Sequence, residues 1–153
     1  MKFNGFQVFN FRNIIDSGWV AGGDLISFIA QNECGKSNLL EAFYKLNPYR
    51  KDEKYLLSED WPADKWPPPK KPGEERVCLA KFRLTLDEYR DLVEECALSG
   101  EDGAGKEPVP PVSDENSPLL EVEIERFYSN ESQVKLHPNL AATIDEDEAG
   151  EWI

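Results

Sequence analysis

The sequence predicts an α/β chain, built as a mixed sheet with one loop-fed helix and an added antiparallel β portion. Three stretches carry that expectation. Residues 25 to 48, "LISFIAQNECGKSNLLEAFYKLNP", run from an apolar stretch through glycine-lysine-serine into helical spacing. Residues 77 to 96 read as a strand followed by a helix. Residues 119 to 128, "LLEVEIERFY", alternate, with Leu120, Val122 and Ile124 on one face and Glu121, Glu123 and Glu125 on the other. One packed face and one wet face imply an antiparallel sheet.

The elements follow in order. "KFNGFQVFNFRN", residues 2 to 13, alternates as a strand with Phe6 and Val8 on one face and Phe9 and Phe11 on the other. Gly18, Gly22 and Gly23 in "SGWVAGGDL" mark turns around a short second strand. "LISFI", residues 25 to 29, reads as a strand covered on both faces. Leu39, Leu40, Phe43 and Tyr44 share a helical face over residues 36 to 46, and Asn47 and Pro48 stop that helix. Residues 1 to 48 thus form a strand-loop-helix core. Residues 49 to 76, rich in proline and charge, read as a long connection, with "PPPKKP" either a rigid spacer or a polyproline ligand. Residues 77 to 138 belong to the same lobe. There "VCLAKFRLT" turns Cys78, Ala80, Phe82 and Leu84 inward. Thr85 and Glu88 then form a capping box ahead of Tyr89, Leu92, Val93 and Cys96. A loop occupies residues 99 to 118, and residues 139 to 153 read as an acidic, frayed tail.

Bulk composition bounds the function. A chain of 153 residues, 40% hydrophobic and 31% charged, fits one domain with a real core. A net charge of -13 argues against a main DNA-gripping surface, because duplex affinity comes largely from lysine and arginine on phosphates. Cys34, Cys78 and Cys96 are an odd number without metal-like spacing, which points to reduced thiols in a cytoplasm. The alternating N-terminus fits no signal peptide. No run approaches the roughly 20 apolar residues that span a bilayer. The expectation is a soluble, cytoplasmic protein with no membrane contact.

The glycine-lysine-serine triplet carries chemistry. The phosphate-loop pattern is G-x-x-x-x-G-K-[ST]. Ala30 stands at the first glycine, and Gly35, Lys36 and Ser37 are in register. A helix beginning after a strand presents unpaired N–H groups and the positive end of its dipole to an anion. Gly35 lets the backbone curl, Lys36 reaches the β and γ phosphates, and the Ser37 hydroxyl ligates Mg²⁺. Ala30 adds one methyl outside the curl. The bland alternative is a chance triplet at a helix start, against which the flanking strand and helix weigh. Cys34, beside a helix N-terminus, reads as a filler residue with a lowered pKa. Alkylation of that thiol is expected to block nucleotide binding, and Mg-ATP to slow the alkylation.

An N-terminal strand ending in "NFRN" (Asn10 to Asn13), a "GW" turn and then "AQNECGKSNLLEAFYKL" resemble the start of an ABC-type ATPase head. The group is RecF/SMC-like, and the OLD (overcoming lysogenization defect) family is the most similar, since it often carries "NESGK" where Asn32, Glu33, Cys34, Gly35 and Lys36 stand. The resemblance is specific over residues 1 to 48 and loose over 74 to 136, where a helix beginning "LDEY" lies between two strands. It implies a P-loop ABC-ATPase-like lobe that binds ATP and Mg²⁺. Gln31, Asn32, Glu33, Cys34, Gly35, Lys36 and Ser37 would line the loop, with Arg12 near the phosphates. Arg12 equally fits a surface salt bridge.

Such heads also need a Walker B acidic pair, a signature motif and a switch histidine, which come far downstream in the family. "GEDGAGKE" (100 to 107) has Glu107 in place of the hydroxyl residue, and "PVPP" follows it. "LSGED" (98 to 102) precedes no helix. "AATIDE" (141 to 146) has a weak apolar run, and His137 before Pro138 reads as a turn residue. No catalytic residue is assigned. The chain reads as the N-terminal part of a larger ATPase, with hydrolysis only in a complete head dimer. Its partners are the remainder of the head or a second head, and DNA through the larger assembly. DNA repair and anti-phage defence are the expected settings. The alternative is a non-enzymatic acidic interaction module with a degenerate loop.

Overall fold

The computed structural model describes residues 1–29, 35–50, 52–98, 112–114 and 116–141, with side chains to residue 94 in the helix that ends at Leu98. The strands are β1 (Lys2–Phe11), β2 (Ile14–Asp16), β3 (Val20–Ala21), β4 (Arg76–Arg83), β5 (Glu121–Phe127) and β6 (Ser132–Leu136). The helices are α1 (Lys36–Tyr44), α2 (Leu57–Asp60), α3 (Leu86–Leu98) and α4 (Pro138–Ala141). The strands hydrogen-bond in the order β2-β1-β4-β5-β6, and β3 also pairs with β1. The architecture is α/β with antiparallel pairing, as the sequence implied. No helix among the described residues is long and apolar enough to cross a membrane.

Two compact units make up the chain. One comprises Met1–Phe3, Lys81–Ile124 and Gln133–Ile153. Its core is Leu84, Tyr89, Leu92, Leu120, Val122, Leu136 and Leu140. At roughly 1.5–3 kcal/mol for each fully buried large aliphatic side chain, this hydrocarbon cluster is its main source of stability. The capping box forms as expected: Thr85 N donates to Glu88 Oε2 at 2.8 Å and Glu88 N donates to Thr85 Oγ1 at 3.2 Å. On the wet face, Arg83 Nη2 donates to Glu121 at 2.6 Å, and Lys81 pairs with Glu123. Leu140 is fully buried in α4, so the expected tail begins as core rather than fraying at residue 139. Residues 142 to 153 and the loop at 99 to 111 lie outside the described residues.

The other unit comprises Asn4–Ala80 and Glu125–Ser132. β1 pairs antiparallel with β2 in the register Phe9↔Asp16 and Phe11↔Ile14, and with β3 in the register Gly5↔Ala21 and Phe6↔Val20. Gly5 has φ +144, and a Cβ there would lie 2.4 Å from the Val20 carbonyl, so this crossing requires glycine. Phe6, Val8 and Phe11 are all buried, whereas Phe9 lies only half-buried beneath the Arg76 guanidinium. Asn10 at φ 48 and Arg12 at φ 52 break the simple alternation and turn Phe11 into the core. Glu125, expected on the wet face, is buried and bonded to Arg76.

Three further expectations change here. Residues 25–29 form no strand. Leu25 is 87% exposed and Ile29 96% exposed. A run of apolar residues becomes a covered strand only where neighbouring backbone supplies a ladder, and no described residue pairs with this one. Leu40 and Tyr44 lie on the exposed side of α1, and the buried stripe runs through Ala42 to Leu46 instead. Residues 49 to 76 are not merely a connection. They carry α2 and two short 3₁₀ turns, and they bury Tyr55 and Asp60.

Candidate functional site

The head of α1 is shaped by the residue just before it. Gly35 caps the helix at φ 89 and ψ 10, a left-handed conformation that side-chain residues rarely adopt. A Cβ there would also stand 2.9 Å from Asn13 Oδ1 and 3.0 Å from its Nδ2. Glycine is therefore required twice, by conformation and by space. Leu39 N donates to Gly35 O at 2.8 Å, the first bond of the helical ladder, so the amides ahead of it lie outside that ladder. Lys36 is the first residue of α1, and the Ser37 side chain beside it is exposed. A cavity of about 660 Å³ opens here, lined among others by Asn13, Ile14, Asp16, Phe28, Gly35 and Lys36.

Gly35, Lys36 and Ser37 thus meet at one helix start beside a cavity. Gln31, Asn32, Glu33 and Cys34 lie outside the described residues, as does the methyl of Ala30. A helix N-terminus with Lys36 and Ser37 in its first turn suits an anion, and Asp16 is the acidic side chain among the residues lining the cavity. They do not make a cation cage. No three His, Cys, Asp or Glu side chains cluster among the described residues. A magnesium ion would have Ser37 and the ligand's own phosphate oxygens.

Arg12 lies alongside the same helix in a polar network that the sequence reading did not foresee. Its Nη1 and Nη2 donate to the two carboxylate oxygens of Glu41, both at 2.6 Å. Nη1 also donates to Asn38 Oδ1 at 3.1 Å, and Nε to Asp60 Oδ1 at 3.0 Å. Asp60 is fully buried, yet its other oxygen accepts from Lys45 Nζ at 2.9 Å and from Leu56 N at 3.0 Å. A buried carboxylate survives only when paired and bonded in this way. Partial burial pulls the Arg12 pKa down, but the hydrogen bond and charge of Glu41, followed by Asp60, outweigh it and leave a net upward shift. Of the two readings the sequence left open for Arg12, the salt bridge is present.

The network is joined to the helix head. Asn38 Nδ2 donates to Asn13 Oδ1 at 2.8 Å, and Asn13 is the side chain that crowds Gly35. At the other end of α1, Tyr55 Oη donates to Ala42 O at 2.6 Å, and Arg126 Nη1 donates to Lys45 O at 2.9 Å and Leu46 O at 2.8 Å. The single Tyr128 hydroxyl proton is shared between Asn10 O and Asp60 O, the latter at 2.9 Å. Burial pushes the Tyr55 and Tyr128 hydroxyls well above their ordinary range, so both act as neutral donors.

Sequence reasoning missed Asn13, Asn38, Glu41, Lys45 and Asp60. Glu41 and Lys45 carry a faint signal, an i,i+4 pair on a helix that also holds Asn38 at i−3. Asp60 lies in a stretch whose Tyr55 and Trp61 are too aromatic for a bare spacer. His137 behaves as the turn residue expected, its Nδ1 accepting from Asn139 N at 3.3 Å and its carbonyl from Leu140 N at 2.7 Å.

No family model matches the chain. No curated protein matches it either. Among solved structures, the chain is similar to one from work on "Structural biochemistry of ATP-driven dimerization and DNA stimulated activation of SMC ATPases". That likeness has a TM-score of 0.44 at 10% identity, over 99% of this chain and 80% of the other.

Proposed function

We propose that the chain binds a nucleoside triphosphate, ATP with Mg²⁺, at the head of α1. The observation that supports this most is Gly35. It adopts the left-handed turn that lets a helix begin tightly, and Lys36 and Ser37 follow at once beside the cavity. In this reading the amides of the loop, including Gln31, Asn32, Glu33 and Cys34, surround the phosphates. Lys36 neutralises them, Ser37 holds the metal, and Arg12 adds a second positive charge. Bound magnesium would supply charge neutralisation across the phosphates.

On this reading the chain is the ATP-binding N-terminal part of an ABC-type, RecF/SMC-like ATPase of the OLD kind. The groups for hydrolysis come from the rest of the head or from a second head. DNA repair or phage defence is the proposed setting, with DNA reached through the larger assembly. A second reading, an acidic interaction module with a degenerate loop, draws on the net charge of -13.

Calorimetric titration of the full chain with Mg-ATP separates the two. Binding that disappears in Lys36→Ala and with a magnesium chelator is the expected result. Absence of uptake by the parent chain would leave the interaction module standing.

A further inference from the structure

We propose that Glu41 is an intramolecular competitor for the anion at the head of α1, its carboxylate holding the Arg12 guanidinium that a phosphate would otherwise engage. The inference rests on the nucleotide reading above and concerns how that site is regulated.

The base of Arg12 is fixed whichever way its tip points. Its backbone N donates to Asp60 O at 2.6 Å, its φ is 52, and its Nε donates to Asp60 Oδ1. Only the two terminal nitrogens are committed to Glu41, one to each oxygen. A paired fork on a carboxylate is the same geometry a guanidinium offers a phosphate, so the two anions compete for one donor edge.

The tip is also close to the helix head. Nη1 already donates to Asn38, which lies in the first turn of α1 and donates in turn to Asn13, a residue lining the cavity with Gly35 and Lys36. Release leaves no charge stranded. Lys45 Nζ stands 3.5 Å from Glu41 Oε1 and can keep that carboxylate company, while Asp60 retains Lys45 and the Arg12 Nε.

The test uses Mg-ATP titrations of the full chain in six forms: parent, Lys36→Ala, Arg12→Ala, Glu41→Gln, Glu41→Asp, and Glu41→Gln combined with Arg12→Ala. Glu41→Gln keeps the shape and removes the charge. It should bind Mg-ATP about five- to tenfold more tightly than the parent, within the usual range of coupling between two sites. That gain should vanish in the Arg12→Ala background. Glu41→Asp, one methylene shorter, should give a smaller gain, and it decides the matter if circular dichroism shows Glu41→Gln unfolded.

Unchanged or weaker binding by the folded Glu41 variants, with Lys36→Ala still abolishing it, overturns the competition and leaves the nucleotide reading intact. A gain that persists without Arg12 overturns it as well, since bulk charge then explains the effect. Binding that is absent throughout, or indifferent to Lys36, removes the nucleotide reading and this inference with it.

Discussion

The two units solve the problem of holding a helix in opposite ways. Around α3 the packing is hydrocarbon, with Leu92, Leu120, Val122 and Leu140 all fully buried, and a capping box holds the start of the helix. Around α1 the fixed points are polar: a buried carboxylate, two cations, and two tyrosine hydroxyls on backbone carbonyls. Oily contacts are non-directional and tolerate a small slide. Charge-assisted bonds at 2.6–3.0 Å specify direction as well as distance. The helix that carries the candidate site is the one held by directional bonds.

Substitution at the centre of each network tests that contrast most severely. Asp60→Ala leaves Lys45 and Arg12 with Glu41 as their shared counter-charge, and should cost about 3 kcal/mol in urea unfolding, at the low end for breaking a buried pair because that second carboxylate remains. Leu92→Ala in the hydrocarbon cluster should cost about 2–5 kcal/mol from lost transfer energy and cavity. The discriminating result lies in ligand binding. Asp60→Ala should weaken Mg-ATP binding beyond its effect on folding, and Leu92→Ala should not. Equal effects on binding would dissolve the distinction between the two units.

Alkali sharpens the contrast next. Burial pushes the Cys78 thiol up to about 12 from its ordinary 9.0. A folded pKa above the unfolded one favours folding fully below the unfolded value, and that contribution is lost as pH rises toward the folded one. Stability should therefore decline above pH 9 and on toward 12, by roughly 1.4 kcal/mol per pH unit for this group alone. The fall should be read by denaturant midpoints and should lessen in Cys78→Ala. A midpoint flat with pH would contradict the burial assigned to Cys78.

The smallest effect belongs to the end cap. Thr85→Ala removes an acceptor from the first turn of α3 and should cost about 1 kcal/mol, with Mg-ATP binding unchanged. Restoration by Thr85→Ser should recover most of it.

The legible parts of the fold were those set by local chemistry. Thr85 and Glu88 announce a helix start within four residues, and the glutamates of β5 alternate with its core side chains up to Ile124. Gly35, Lys36 and Ser37 were readable because a tight helix entry has few sequence solutions. What escaped depends on distant partners. Nothing near Asp60 in sequence reveals that Arg12 and Lys45 will neutralise it, since they lie 48 and 15 residues away. Burial of "LISFI" was over-read for the same reason, because covering a strand requires neighbours that the run itself does not encode. The Glu41 pairing of Arg12 was legible only as an alternative, because composition does not rank a carboxylate against a phosphate.

Arg126 has a mechanical consequence for α1. With the last carbonyls, Lys45 O and Leu46 O, gripped by one guanidinium and Ala42 O by Tyr55, the helix is bolted at its tail. A tilt about that anchor moves the Lys36 end most, against the bonds that join Asn38 and Glu41 to Asn13 and Arg12. Cutting the bolt with Arg126→Met should shift the whole helix rather than its tip, and the first sign would be faster amide exchange at Phe43 and Tyr44.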